Sequence, residues 1–220
     1  MRAFSLETLA GPGRHLLCVG AHADDIEIGC GGTVLKLIGH APDLTVTWVV
    51  LSAEGTREAE ALASADAMLQ TVKTRNVVLE RFRDGFFPGQ YAAIKERFEA
   101  LKRSVSPDLV LTHYRGDLHQ DHRLVAELTW NTFRNHLILE YEIPKYDGDL
   151  GSPNAFVPLD RELCQRKIRH LLDSFPSQAS RAWFEEETFS ALLRLRGMEA
   201  NAPSGYAEAF YCRKFVLDAG

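Results

Sequence analysis

Six side chains in two short clusters have the types and spacing to bind and use a divalent metal: His22, Asp24 and Asp25 in His22-Ala23-Asp24-Asp25, and His119, Asp121 and His122 in His119-Gln120-Asp121-His122. Imidazole and carboxylate are zinc ligands, and three such ligands with one open position make a catalytic rather than a structural site. With His22, Asp25 and His122 as ligands, water takes the open position, and zinc lowers its pKa from ~15.7 towards ~7. Asp24, beside ligand Asp25, is then the candidate general base. His119 is placed to donate to the oxyanion and afterwards to protonate a leaving amine, and Asp121 to orient His119 through its other ring nitrogen. Together these roles amount to metal-assisted amide hydrolysis. Each residue also has a plain structural use: paired aspartates after a strand make turns or caps, and Asp121 can cap a following helix. Two clusters at equivalent places in the chain weigh against that use. Of the other five histidines, His15, His40, His136 and His170 carry no pattern, and His113 ends an expected strand where it can stand beside the site.

The elements around the clusters must bring them together. Residues 15–21 read as a short buried strand, and Gly31-Gly32 opens a helical stretch through Val34, Leu35 and Ile38. Residues 44–51 are rich in β-branched side chains and read as a second strand, followed by a helix over 57–69. A third strand spans 77–82. After a loop with Asp84-Gly85 and Pro88-Gly89 comes a helix with Tyr91, Ile94, Phe98 and Leu101 on one face. Strands at 109–112 and 137–143 bracket a helix over 122–133. Residues 147–158 read as a long loop, followed by helices near 160–173 and 181–196 and a last apolar segment, 209–217. Strands alternating with helices, without hairpin turns, predict a single α/β domain over residues 1–220. Its Rossmann-like core is 15–143, a mostly parallel sheet of about five or more strands with helices on both faces, and 144–220 is a C-terminal extension. Ligands of such sheets bind beyond the carboxyl ends of the strands, where both clusters fall.

Composition narrows the partners. The 220 residues carry a net charge of −5, which offers no large basic surface and argues against nucleic acid. Cys18, Cys30, Cys164 and Cys212 form no CxxC pair, which suits a reducing compartment. Residues 1–14 lack the basic-then-apolar pattern of a signal peptide, and no apolar run approaches membrane-spanning length, so the expectation is a cytoplasmic protein without a membrane span. Oligomeric state stays open, a homo-oligomer included.

The clusters resemble the A-H-P-D-D and H-x-D-H motifs of the PIG-L/LmbE family of zinc-dependent N-deacetylases. The likeness extends to Gly29-Cys30-Gly31-Gly32-Thr33, Gly55-Thr56-Arg57 with Glu60, Asp84-Gly85 and Pro107-Asp108-Leu109-Val110. It continues through Ser177-Gln178, Arg196-Gly197 and Ala207-Glu208-Ala209-Phe210, so that nearly the whole chain is covered. Ala23 replaces the usual proline, and Ile26 the glutamate that often follows Asp-Asp; neither change removes a catalytic group. The resemblance implies His22, Asp25 and His122 as ligands of Zn2+, with Fe2+ as the alternative metal in the cell. It implies Asp24 as general base and His119 as electrostatic and acid partner. It places Arg57 and Asp84 at positions that contact substrate, an N-acetylated amino sugar or its conjugate. Arg57 can instead pair with Glu58 or Glu60, and Asp84 can simply form a turn.

Three other functions fit parts of the pattern. The same scaffold serves hydratases acting on small carboxylates, which basic residues around the site would favour. Two histidines and a carboxylate also describe non-haem iron oxygenases, but the α/β pattern argues against their usual barrel. A purely sugar-binding role would require the loss of Asp24 or of a ligand, and both are present.

Overall fold

The computed structural model describes residues 13–41 and 43–216. The sequence readings of residues 1–12 and the tail beyond 216 lie outside them. Seven strands form one sheet in the order β3-β2-β1-β4-β5-β7-β6. The strands β1 (His15–His22), β2 (Thr45–Ser52), β3 (Thr74–Leu79), β4 (Leu109–His113) and β5 (Leu137–Tyr141) are mutually parallel. β1 lies between β2 and β4 and is buried on both faces, which is why its sequence is an apolar run rather than an alternation.

Helices cover both faces. Leu16, Cys18, Val46 and Trp48 point into one core, with α1 (Asp25–His40), α2 (Thr56–Met68), α5 (Arg161–Ser174) and α6 (Glu186–Glu199). Leu17, Val19 and Val49 point into the other, against α3 (Tyr91–Ser104) and α4 (Gln120–Thr132). Among the described residues no helix is long and apolar enough to cross a membrane.

The structure departs from the sequence reading at several elements: the third strand is Thr74–Leu79 rather than 77–82, and the last helix is Glu186–Glu199 rather than 181–196. The first helix opens at Asp25, not at Gly31-Gly32, which lie inside it. Residues 155–159, read as loop, form the edge strand β6 (Ala155–Leu159), whose Pro158 is exposed; a proline is tolerated at an edge and disguises a strand. The expected mostly parallel sheet forms, with β7 (Tyr206–Cys212) running antiparallel to β5 and β6.

The extension grips the helix that carries Asp25. Glu208 of β7 accepts hydrogen bonds from the mid-helix amides of Gly32 (2.8 Å) and Thr33 (2.6 Å). Lys167 of α5 donates to Glu208 (2.6 Å) and to the Ile28 carbonyl (2.6 Å), one turn back from Gly32. This approach requires glycine, because a Cβ on Gly32 would stand 2.4 Å from Leu159 Cδ1 and 2.9 Å from Glu208 Oε1.

Candidate metal centre and catalytic site

β1 and β4 are neighbours, and the sequence order reverses between them, so a crevice opens beyond their carboxyl ends. His22 ends β1, Asp24 and Asp25 start α1, and His119, Asp121 and His122 start α4. His22 Nδ1 stands 3.2 Å from His122 Nε2 and 3.3 Å from Asp25 Oδ2, and His122 Nε2 is 3.6 Å from Asp25 Oδ1. Tetrahedral donors ~2.0–2.1 Å from a zinc ion stand roughly 3.3 Å apart; the two histidine nitrogens have that spacing, and Asp25 faces each of them through a different oxygen. Other donors crowd the same place. His22, His119 and His122 form one group with mutual distances within 4.8 Å, and Asp25, His113 and His122 form another.

The surroundings set the charge state of each of these side chains. Asp25 accepts from the His22 amide (2.6 Å), and although burial opposes its charge, His122, His113 and His22 hold its carboxyl well below the usual range. His122 donates from Nδ1 to Asp117 Oδ2 (2.9 Å), which fixes the tautomer with the Nε2 lone pair turned to His22 and Asp25. Burial, with His113 adding to it, depresses the His122 pKa to about 4. His22 is only partly buried, and the carboxylates of Asp25, Asp121 and Asp84 outweigh its desolvation and raise its pKa well above the ordinary imidazole value.

Asp24 occupies the N-cap position of α1 but caps nothing with its side chain. Its Oδ1 instead accepts from Arg57 Nη2 at 2.8 Å. Burial raises its pKa and Arg57 opposes the rise. Arg57 is free for this pairing because Glu58 binds Arg81 and Glu60 binds Ser177. The alternative pairing of Arg57 with Glu58 or Glu60 is therefore not what forms.

His119 and Asp121 are both at the site, but the expected bond between them is not made. His119 is the N-cap of α4, and its Nδ1 accepts from the Asp121 amide (3.3 Å). The Asp121 carboxylate turns to the neighbouring loop, accepting from Gly85 N (2.7 Å), Phe87 N (3.0 Å) and His22 Nε2 (3.1 Å). Asp121 therefore orients His22, the ring whose Nε2 points at it, rather than His119. Asp84, 73% exposed, reaches the same nitrogen (3.0 Å), and the bond to His22 lowers its pKa.

A model of the PIG-L family, described as GlcNAc-PI de-N-acetylase, matches residues 17–133, more than half of the chain. The chain belongs to this family. Solved structures share the fold. A conserved protein of Thermus thermophilus, TT1542, is 22% identical with a TM-score of 0.71, over 93% of this chain and 96% of that one. The N,N'-diacetylchitobiose deacetylase of Pyrococcus horikoshii is 19% identical with a TM-score of 0.68, over 90% and 82%. GalB, the 4-carboxy-2-hydroxymuconate hydratase of Pseudomonas putida KT2440, is 17% identical with a TM-score of 0.72, over 94% and 99%.

In this PIG-L chain the site holds three residues that sequence reasoning missed or left open. Asp117 is 1% exposed; besides His122 it receives the His119 amide (2.8 Å) and Lys145 Nζ (2.9 Å). Its carboxyl is held well below the usual range, His122 and Lys145 outweighing burial. Lys145 also pairs with Asp149 (2.5 Å), which joins the loop after β5 to the start of α4. The only hint in the sequence was an aspartate between Gly116 and Leu118, which reads equally well as a turn. His113 is the third: it stacks on His122 with ring centroids 4.0 Å apart, takes the Ala21 amide on Nε2 (3.0 Å), and lies 3.1 Å from Asp25.

Proposed function

We propose that the protein is a metal-dependent hydrolase that removes the N-acetyl group from an amino sugar or amino-sugar conjugate resembling N-acetylglucosamine. The observation that carries this reading is the ligand-like spacing of His22 Nδ1, Asp25 and His122 Nε2 beside the buried Asp24 carboxylate, in a member of a de-N-acetylase family. His22, Asp25 and His122 would hold Zn2+, or Fe2+ in the cell. When bound, such an ion lowers the pKa of water towards ~7 and polarises the amide carbonyl.

Asp24 accepts a proton from water as the water oxygen bonds to the acetyl carbon. Its raised pKa makes it a better base, and Arg57 keeps it from being neutralised by burial. His119 has Nδ1 engaged, so its Nε2 carries the proton and donates to the carbonyl oxygen as charge grows there. Burial and the nearby His22 lower its pKa. His119 therefore acts as a neutral donor, so Asp24, rather than His119 as the sequence reading had it, returns its proton to the nitrogen as the C–N bond breaks. The products are the free amine and acetic acid, which ionises in solvent. Asp84, largely exposed beside His22, accepts from sugar hydroxyls, and the remaining N–H groups of Arg57 can do the complementary donating.

The hydratase reading has less support. Of the cations around the site, Arg57 and Lys145 are matched by Asp24 and by Asp117 with Asp149, and Arg123 is engaged by the Asp117 and Leu118 carbonyls. The deciding experiment combines metal analysis with acetate release from N-acetylglucosamine and its glycosides. About one divalent ion per chain is expected, and Asp24→Asn should keep it while losing roughly 10²–10⁴-fold in turnover. No metal bound and no gain of activity on adding zinc would refute the site.

A further inference from the structure

Lys145 Nζ rests on Asp117 Oδ2 (2.9 Å), the same oxygen that accepts from His122 Nδ1 (2.9 Å), and leaves Oδ1 to the His119 amide (2.8 Å). Its second carboxylate partner is Asp149 Oδ2 (2.5 Å), which also accepts from the Leu118 amide (2.7 Å). A turn at Tyr146-Asp147 brings Asp149 back onto Lys145. The side chains of Lys145 and Asp149 are 11% and 6% exposed, and that of Asp117 is 2% exposed. Water therefore screens little of the charge along the row from His122 through Asp117 and Lys145 to Asp149. Arg123, close by, donates to the Asp117 and Leu118 main-chain carbonyls rather than to either carboxylate.

A carboxylate that accepts from the outer nitrogen of a ligating histidine makes that ring a stronger donor to a metal. An ammonium on the same oxygen works against this, because it draws on the charge that the imidazole N–H would otherwise receive. We propose that Lys145 is a positioning residue that acts through Asp117 on His122. It holds the carboxylate in place and restrains the charge that the carboxylate lends to the ring, trading tightness of metal binding for a more electrophilic centre. Asp149 sets how much of the ammonium Asp117 receives. The assignment rests on His122 being a ligand, as in the reading above. A Lys145 that merely neutralised two buried carboxylates and tied the loop after β5 to α4 would give the opposite sign, because its loss would loosen Asp117 and weaken the site.

The test is zinc affinity, measured on the full chain by competition with a chromophoric chelator, with urea unfolding of the metal-free proteins as the control for folding. Lys145→Met keeps most of the side chain and removes its charge. It should bind zinc about tenfold tighter than the unsubstituted protein. Its kcat for acetate release from N-acetylglucosamine should fall about threefold or more while KM changes little, since the centre has become less electrophilic. Asp149→Asn keeps an acceptor for the Leu118 amide and leaves the ammonium to Asp117 alone, so zinc should bind about threefold weaker or more. Weaker or unchanged zinc binding in a folded Lys145→Met protein overturns the proposal. Where that chain does not fold, Asp149→Asn decides: zinc bound as tightly as in the unsubstituted protein, or more tightly, overturns it. Zinc binding and acetate release by the unsubstituted enzyme, with both variants unchanged, would remove the role of Lys145 and leave the deacetylase reading standing. The two opposite shifts in affinity without acetate release from any protein would support the role of Lys145 and remove the deacetylase reading. An unsubstituted protein that binds no zinc removes both.

Discussion

Replacing Asp117 by asparagine should weaken metal binding without touching a ligand. Asp117 Oδ2 receives two donors, His122 Nδ1 and Lys145 Nζ, each at 2.9 Å, and Oδ1 receives the His119 amide at 2.8 Å. An amide offers only one acceptor oxygen. If that oxygen serves His122 and Lys145, the new NH2 group faces the His119 N–H. If it serves His119, the NH2 group faces two donors. The first orientation loses one hydrogen bond, and both orientations lose the negative charge that makes His122 a more basic ligand. Losing such a partner of a ligating histidine costs about 10–100-fold in metal affinity, or roughly 1.4–2.8 kcal/mol. Competition between the protein and a chromophoric chelator for zinc reads this directly, with urea unfolding of the metal-free chain as the control for folding. A zinc affinity within twofold of the unsubstituted protein would refute the view that Asp117 sets the orientation and basicity of His122.

Three further substitutions probe the remaining supports. Arg57→Met removes the cation that lowers the pKa of Asp24, so the acid limb of kcat/KM should move to higher pH, because the base must be deprotonated to act; an unmoved limb would take Asp24 out of that limb. Lys167→Met leaves the buried Glu208 without its cation and should cost about 3–5 kcal/mol of unfolding free energy, whereas a loss under about 1 kcal/mol in urea titration would show that the Gly32 and Thr33 amides suffice to hold it. Gly29→Ala would set a Cβ 2.1 Å from Tyr141 Cδ2, and that ring is fixed by its hydroxyl on the Val19 carbonyl (2.7 Å). A destabilisation of about 1–3 kcal/mol or more is expected, and an unchanged Tm would mean that the ring can shift.

The chemistry-bearing residue types and the frame that holds them were legible in the chain. A run such as 15–21, apolar on both faces, can only be an interior strand, and its alternation with helical periods requires parallel crossovers. That logic alone put both His/Asp clusters at the carboxyl ends of strands. It failed for β6, whose proline and polar neighbours mimic a loop, and for the start of α1, where glycines inside a helix looked like its beginning. Both features depend on partners distant in sequence: β7 pairs with β6, and Glu208 with Lys167 fills the space that Gly32 leaves.

The direction in which each polar side chain points was decided by the tertiary structure alone. Whether Asp121 served His119 or His22 depended on the loop at 85–87 arriving with two amides to offer. Whether Arg57 paired with Glu58, Glu60 or Asp24 depended on Arg81 and Ser177 claiming the two glutamates. Asp117 became the partner of His122 only because Lys145, 28 residues onward, and the His119 amide share its charge. Hydrophobic periodicity is a local property and can be read along the chain. A hydrogen-bond partner is chosen by competition among all donors and acceptors that the fold brings within ~3 Å, and that competition exists only once the chain has folded.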